Sequence, residues 1–428
     1  MRVLIAAFGS VGDVHPLLGI GRALAARGHS VVICANPVFE SLVERCGLAF
    51  RAVGSKKDYL DALGDPALWS PRTSLRTLWT AMAREMRPLF DLVAREAGGD
   101  TVAIGSLWAF GARLAQEKLG LPYLSAQVSP STLLSAALPP VHPRFGLPRA
   151  MPVTVNAACI RLIEFAVLDR IFGPALNGLR RELGLAPVDR IMSRWMHSPQ
   201  GVLGLFPDWF APRQDDWPGA FCSCGFPLFD GADLEPETLD GGLCEFLQNG
   251  PPPVVVTPGS TALHGPGFFR AAVQALQAMG HRAVLLGADA LALGELPASM
   301  LVRRYVPISL LLPHGAALLH HAGIGTSALG LAAGVPQVVT PFAHDQFDNA
   351  ARLQRLGVGA TVARPSPVAL EQALTRVLGD PAIAQACLLR RRHVESPAAA
   401  RSRVVAVVEA LRPAACISLQ GAPAHVDA

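Results

Sequence analysis

Histidine, glycine, hydroxyl and carboxylate side chains crowd into one region about three quarters of the way along the chain. His320-His321-Ala322-Gly323-Ile324-Gly325-Thr326-Ser327 follows the apolar run Ala316-Ala317-Leu318-Leu319, and Asp345-Gln346 comes eighteen residues after Ser327. The run, the glycines and the following Ala328-Leu329-Gly330-Leu331-Ala332-Ala333 predict a buried strand, a tight turn and a helix that stops at Gly334. A turn that delivers a helix N-terminus suits an anion, because free backbone N–H groups and the helix dipole point the same way. A histidine at that turn adds a donor beside a developing negative charge. Val338-Val339-Thr340 predicts a second strand, so Asp345-Gln346 falls just past a strand end, where open α/β sheets bind ligands. A phosphate on the turn, with hydroxyls on the carboxylate and amide, is the chemistry this set could do. Gly turns of this kind also occur in α/β proteins with no ligand, where the histidine is structural. The spacing to Asp345-Gln346 favours the ligand.

Such residues need elements to hold them, and the chain repeats one plan twice. Val3 to Phe8 predicts a buried strand ending in Gly9-Ser10-Val11-Gly12, followed by a helix over Leu17 to Arg27, Gly28-His29 and the strand Val31-Val32-Ile33-Cys34. Val254 to Thr257 predicts a strand ending in Gly259-Ser260-Thr261, followed by a helix over Phe268 to Met279, Gly280-His281 and the strand Ala283-Val284-Leu285-Leu286. This alternation implies an α/β protein with parallel sheets and helical crossovers. Two such units predict two Rossmann-like domains with a cleft between them, over residues 1–230 and 240–395. The boundary falls in the Pro-, Gly- and Asp-rich segment from Phe210 to Pro253. A tail over 413–428 is small and polar, and disorder is expected there.

Bulk properties exclude several classes. With 428 residues, 51% hydrophobic and 16% charged, the chain can fill two cores and is far from a disordered composition. A net charge of +4, carried by scattered arginines, gives no nucleic-acid-binding stripe; Arg390-Arg391-Arg392 fits a solvated helix face. Cys222-Ser223-Cys224 lacks the two-residue gap of common zinc sites, so the eight cysteines are expected as reduced thiols. No stretch reaches the roughly 18 apolar residues that span a bilayer, and the apolar N-terminus is only one strand long, unlike a signal peptide. The first loop is Gly-x-x-Gly, and Cys34-Ala35-Asn36-Pro37 ends the second strand without an acid, which disfavours NAD. Trp79, Met82, Met86 and Phe90 form an apolar helical stripe expected in the core, with Pro88 ending or bending that helix.

The ordered set from His321 to Thr326, then Gly334-Val335-Pro336, Pro341 and Asp345-Gln346, resembles the donor-binding signature of nucleotide-sugar glycosyltransferases of the GT-B fold. The resemblance implies an N-terminal acceptor-binding domain, a C-terminal donor-binding domain, and a last helix, about 397–412, that returns to the first domain. It assigns His321, Gly323, Gly325 and Thr326 to the pyrophosphate, with Ser260, Thr261, Ser10 and Gly12 as further donor contacts. Tyr305 and Val306 would face the nucleobase, and Asp345 and Gln346 the sugar hydroxyls, with Asn349 a further candidate. The loop Gly9-Ser10-Val11-Gly12-Asp13-Val14-His15-Pro16 resembles the Gly-x-x-Gly-Asp-x-x-Pro loop of one branch, where the Asp is the general base. A base there would take the acceptor hydroxyl proton, worth on the order of 10²- to 10⁴-fold in rate. His15 is the alternative base, and an N-cap of a helix starting near Pro16 or Leu17 is the structural alternative for Asp13. With no Asp-x-Asp pair, the reading is a metal-independent enzyme without a cofactor. Ala322 stands where many relatives carry Gly, and the doubled histidine leaves open whether His320 or His321 meets the phosphate.

Further segments narrow the resemblance. Gly105-Ser106-Leu107-Trp108-Ala109, Leu124 to Ser135, Trp195 to Gly201 and Gly225 to Gly231 are similar to the rhamnosyltransferases of rhamnolipid biosynthesis. This implies inverting transfer of L-rhamnose from dTDP-L-rhamnose to a 3-(3-hydroxyalkanoyloxy)alkanoate lipid, giving mono-rhamnolipid, with Trp108 and Ser129 as acceptor-side candidates. It also implies a cytoplasmic enzyme with no nucleic-acid partner, for which a lipid acceptor invites peripheral contact with the inner membrane. Two rival readings stand beside it: a UDP-glucose-type enzyme for a macrolide or sterol, and a non-catalytic partner subunit of the same fold.

Overall fold

A computed structural model describes residues 1–411 other than 144, 145, 149, 235–238, 260–265 and 289–292. Continuous apolar runs become parallel strands covered on both faces. The first sheet holds β1 (Arg2–Ala7), β2 (Ser30–Ala35), β3 (Ala49–Ala52), β4 (Thr101–Gly105), β5 (Tyr123–Gln127), β6 (Val202–Gly204) and β7 (Phe221–Ser223), in the order 3-2-1-4-5-6-7. The second holds β8 (Val254–Thr257), β9 (Ala283–Leu286), β10 (Met300–Arg303), β11 (Ala317–His320), β12 (Gln337–Val339) and β13 (Gly359–Thr361), in the order 10-9-8-11-12-13. The ladders are parallel, with His320 of β11 level with Thr257 of β8. Each strand order reverses once, between β1 and β4 and between β8 and β11. Loops leaving a parallel sheet at such a reversal diverge and open a crevice at the strands' carboxyl ends.

The helices that matter to the crevices are α1 (Val11–Ala26), α2 (Ser74–Glu96), α3 (Phe110–Leu119), α4 (Val153–Ile163), α5 (Ile324–Ala333), α6 (Gln346–Arg355) and α7 (Pro397–Ala410). α1 begins at Val11, ahead of the predicted Leu17, so Asp13 lies in its first turn and Pro16 lies inside it. α2 continues past Pro88 to Glu96, so the proline does not end it. Trp79, Met86 and Phe90 of α2 are buried against Phe110 of α3 on one face of the first sheet, while Met82 is only half-buried. The other face is covered by Leu17 and Leu18 of α1 together with Val404, Val405 and Val408 of α7. Each fully buried valine or leucine contributes roughly 1.5–3 kcal/mol, so the last helix is structural cover for the first sheet. The polar tail predicted over 413–428 lies outside the described residues. Among the described helices, none is long and apolar enough to cross a membrane.

Candidate active site

Asp13 is fixed by the loop that leaves β1. Gly9 has φ +124°, and a Cβ there would lie 2.3 Å from Asp13 Oδ2, so only glycine lets the carboxylate fold back over the loop. Ser10 is the N-cap, extended at φ −80°, and its backbone N–H and hydroxyl both donate to Asp13 Oδ2, at 2.8 and 3.1 Å. Asp13 is thus the third residue of α1, a reciprocal capping partner rather than the N-cap itself. Ser10-Val11-Gly12-Asp13 is the Ser-x-x-Asp sequence signal for this arrangement, masked by the helix-breaking look of Gly12 and Pro16. The helix dipole and the two hydrogen bonds favour the carboxylate, but enclosure in the crevice outweighs them, and the pKa rises to about 7. Repulsion from Asp345 adds to the rise. His15 points to the same crevice but packs edge-on against Phe229, ring centroids 5.9 Å apart, and burial lowers its pKa.

His320 and His321 separate cleanly. His320 is fully buried at the end of β11; its Nδ1 accepts from Ala322 N–H at 3.2 Å and its Nε2 meets Gln337 Oε1 at 2.9 Å. It organises the turn and does not line the crevice. His321 does line it. Its ring lies between two glycines: a Cβ on Gly259, at φ +60°, would come within 2.3 Å of Cε1, and one on Gly323 within 2.4 Å of Nε2. Burial pushes its pKa down to about 4, so at neutral pH it is an uncharged donor or acceptor. Gly323 is the N-cap of α5, and the first bond inside that helix runs from Ser327 N–H to Gly323 O at 2.9 Å. The N–H groups of Ile324, Gly325 and Thr326 are left without intrahelical partners, beside His321 on the crevice wall.

The Asp345-Gln346 pair sits at the start of α6. Asp345 accepts from Asn349 Nδ2 at 2.7 Å; burial raises its pKa to about 6 even so. Gln346 Oε1 accepts from the backbone N–H groups of Phe342 and Ala343, at 2.7 and 3.0 Å, so only its NH₂ end remains for a ligand. Asn349 is fully buried, donating to Ala322 O at 3.0 Å, and it is not on the crevice wall. It is a brace for the loop, not a contact for a sugar. Ser129 comes from the first sheet, yet it reaches over to Asn349 Oδ1 at 3.4 Å and to Asp345.

Apart from the buried braces His320 and Asn349, these groups open onto one cavity of about 920 Å³ between the two sheets. Ser10, Gly12, Asp13 and His15 face it from α1 and its cap, and His321, Gly323, Gly325, Thr326, Asp345 and Gln346 face it from the second sheet. Ser260 and Thr261 lie outside the described residues. Buried Val306 and the 60% exposed Tyr305 form another part of the wall. That wall is tied to the first sheet through Asp230, whose carboxylate accepts from Ser309 N–H at 2.8 Å and Ser309 Oγ at 3.0 Å and whose carbonyl accepts from Tyr305 Oη. Beyond Asp13 the cavity turns apolar, between Leu78 and Met82 of α2, Trp108, and Ile160 and Ile163 of α4. The tie through Asp230 and the reach of Ser129 have no signal in the sequence, since both join residues far apart in the chain.

The arrangement offers a carboxylate, a neutral histidine, a helix N-terminus and a polyol-sized pair, facing each other across an apolar chamber. The chain that carries it is similar to known proteins along nearly its whole length. Residues 3–138 match the glycosyltransferase family 28 N-terminal domain, and residues 273–411 match the erythromycin biosynthesis protein CIII-like C-terminal domain. O-mycaminosyltylonolide 6-deoxyallosyltransferase of Streptomyces fradiae is 31% identical over 421 residues, 94% of each chain. The vancomycin aglycone glucosyltransferase of Amycolatopsis orientalis is 30% identical, over 88% of this chain and 89% of that one. Among solved structures, the kitacinnamycin glycosyltransferase has the same fold with a TM-score of 0.73 at 23% identity, covering 96% of this chain and 99% of its own. The spinosyn rhamnosyltransferase complexed with thymidine diphosphate follows at 0.65 and 21%, covering 94% and 100%. With relatives at this identity along nearly its whole length, the chain belongs to the nucleotide-sugar glycosyltransferases of the GT-B fold, of the family 28 and erythromycin-CIII-like type.

Proposed function

We propose that the chain transfers L-rhamnose from dTDP-L-rhamnose to the hydroxyl of a 3-(3-hydroxyalkanoyloxy)alkanoate, with inversion at the anomeric carbon and without a metal ion or cofactor. The observation that carries this reading is the continuity of the cavity, from the α5 N-terminus past Asp13 into an apolar chamber. Asp13 takes the acceptor hydroxyl proton as that oxygen attacks the anomeric carbon and the bond to the diphosphate breaks. The departing charge falls on the N–H groups of Gly325 and Thr326 and on His321, which supply the stabilisation a metal would otherwise give. Asp345 and the Gln346 amide hold the sugar, and Val306 and Tyr305 hold the base. Ser129, through Asn349 and Asp345, positions the sugar side, and Trp108 lines the acceptor side. A thymidine nucleotide is supported by the complex of the spinosyn rhamnosyltransferase, which is a relative in fold.

The apolar chamber also suits a bulky natural product, and the names of the relatives, which include a tylonolide and a vancomycin glycosyltransferase, favour that second reading. One comparison separates them. The purified enzyme, given a hydroxyalkanoyl acceptor and either dTDP-L-rhamnose or UDP-glucose, is expected to use the former; preference for UDP-glucose, or for a macrolide acceptor, removes the rhamnolipid reading. Asp13→Ala is expected to lower turnover by on the order of 10²- to 10⁴-fold while thymidine diphosphate still binds. EDTA is expected to leave activity intact. Leu162 near the end of α4 and Phe165 just after it, 64% and 69% exposed beside the apolar chamber, support peripheral contact with a membrane, to be checked by vesicle flotation.

A further inference from the structure

A second cavity, of about 630 Å³, lies behind Leu134 and Ile160, two side chains that also wall the main cavity. Its other walls are of opposite character: Arg161, Arg190 and Arg194 line it, and so do His197 and Trp217. His197 is 5% exposed; its Nδ1 lies 3.5 Å from Gln127 Nε2, the Met192 carbonyl also faces the ring, and its Nε2 has no hydrogen-bond partner. Trp217 is 6% exposed, and its Nε1–H likewise has none. Trp217 Nε1–H is a buried donor with no acceptor and His197 Nε2 has no partner within hydrogen-bond distance, which is unusual for two side chains of one cavity wall and leaves them available to an acceptor from outside. The cations point the same way. Arg190 is shared between Glu164 at 3.5 Å and Ser193 Oγ at 3.2 Å, whereas Arg161 and Arg194 have no carboxylate partner among the described residues. The one carboxylate on the wall, Asp216, already accepts from Ala136 N–H at 2.6 Å.

We propose that this second cavity binds an oxyanion, a carboxylate or a phosphate, with Arg161 and Arg194 supplying charge and His197 Nε2 and Trp217 Nε1 supplying directed donors. Its common wall with the main cavity puts the anion next to whatever apolar body fills that chamber. The oxyanion is therefore either the acid group of an amphiphile or a free anion, and the two sources bind with the same chemistry. Nothing in this pocket depends on Asp13 or His321, so it stands apart from the glycosyl-transfer reading except in what the amphiphile is.

The test uses the full chain, with Trp fluorescence and calorimetry as readouts and decanoate, decanol and inorganic phosphate as probes. Arg161 and Arg194 are exposed, so the double variant Arg161→Ala, Arg194→Ala is expected to keep the wild-type melting curve and thymidine diphosphate affinity. Decanoate is expected to bind the wild type on the order of 10-fold more tightly than decanol, and the double variant to lose that preference. Trp217→Phe, which keeps the packing and removes the N–H, is expected to weaken decanoate several-fold. If phosphate instead competes with decanoate at equal affinity and is lost in the same variants, the free anion is the ligand. Equal affinity for decanoate and decanol in the wild type, or a preference that survives in the double variant, overturns the proposal. Failure of thymidine diphosphate to bind would count against the donor-site reading alone.

Discussion

At the scale of single residues, Asp13, the proposed base, is a balance of opposing effects. Two hydrogen bonds and a helix N-terminus stabilise its charge, yet removal from water wins and carries the pKa to about 7. A base in this range is charged when needed and still accepts a proton. The rate of transfer is therefore expected to rise with pH through about 7 and then level, and a profile already flat at pH 5 would remove Asp13 from the role. The same shift has a consequence for stability. The unfolded chain loses this proton near 3.8 and the folded one near 7, so stability that is full below 3.8 is lost as pH rises to 7. Because the carboxylate keeps contact with the open cavity, the loss is about 1–2 kcal/mol rather than the full shift. Asp13→Asn, uncharged at every pH, should melt on the order of 3 °C above the wild type at pH 8 and level with it near pH 4, in calorimetric scans. Ala322 is explained at this scale too. It sits at φ +66°, buried and braced at its carbonyl by Asn349, in a backbone region that glycine occupies freely and alanine at a cost of about 1 kcal/mol.

At the scale of elements, the sequence is most legible where glycine and apolar runs coincide. β1, β8 and β11 and the loops that leave them follow directly from Val3–Phe8, Val254–Thr257 and Ala317–His320 with glycine at Gly9, Gly259 and Gly323. The role of Gly259 is not legible, because what it avoids is His321, a side chain placed by tertiary packing, whereas Gly9 makes room for Asp13 through the local capping turn. Gly259→Ala is expected to displace the His321 ring and weaken thymidine diphosphate roughly tenfold with a smaller effect on melting temperature; unchanged nucleotide affinity would show that His321 does not meet the phosphate. α6 carries the complementary case. Asp348 is fully buried and holds Arg352 Nε at 2.7 Å and Val141 N–H at 3.1 Å, while Arg352 reaches Phe210 O at 3.3 Å. Asp348→Ala leaves the guanidinium buried without its carboxylate, so a loss of roughly 3–5 kcal/mol is expected in denaturant titration.

At the scale of the whole molecule, the site exists only because two sheets built on one plan open their crevices onto a single cavity. The repeated strand-loop-helix pattern announces the two sheets, but no local pattern encodes how they meet. Ser129 with Asn349 and Asp230 with Ser309 are joined across 220 and 79 residues of chain. The most telling long-range pair is Asp13 with Asp345, one carboxylate from each half, close enough that the second helps raise the pKa of the first. This makes Asp13 sensitive to what binds beside Asp345, since anything that neutralises Asp345 also lowers the pKa of Asp13. Asp345→Asn removes that charge and keeps the shape. Turnover is expected to fall if Asp345 holds the sugar as proposed, and the acid limb of the remaining rate is expected to move to lower pH than in the wild type. Measured as log kcat/KM against pH, a limb that stays in place would mean that the two halves do not share their electrostatics, and Asp13 would then owe its pKa to enclosure by the first domain alone.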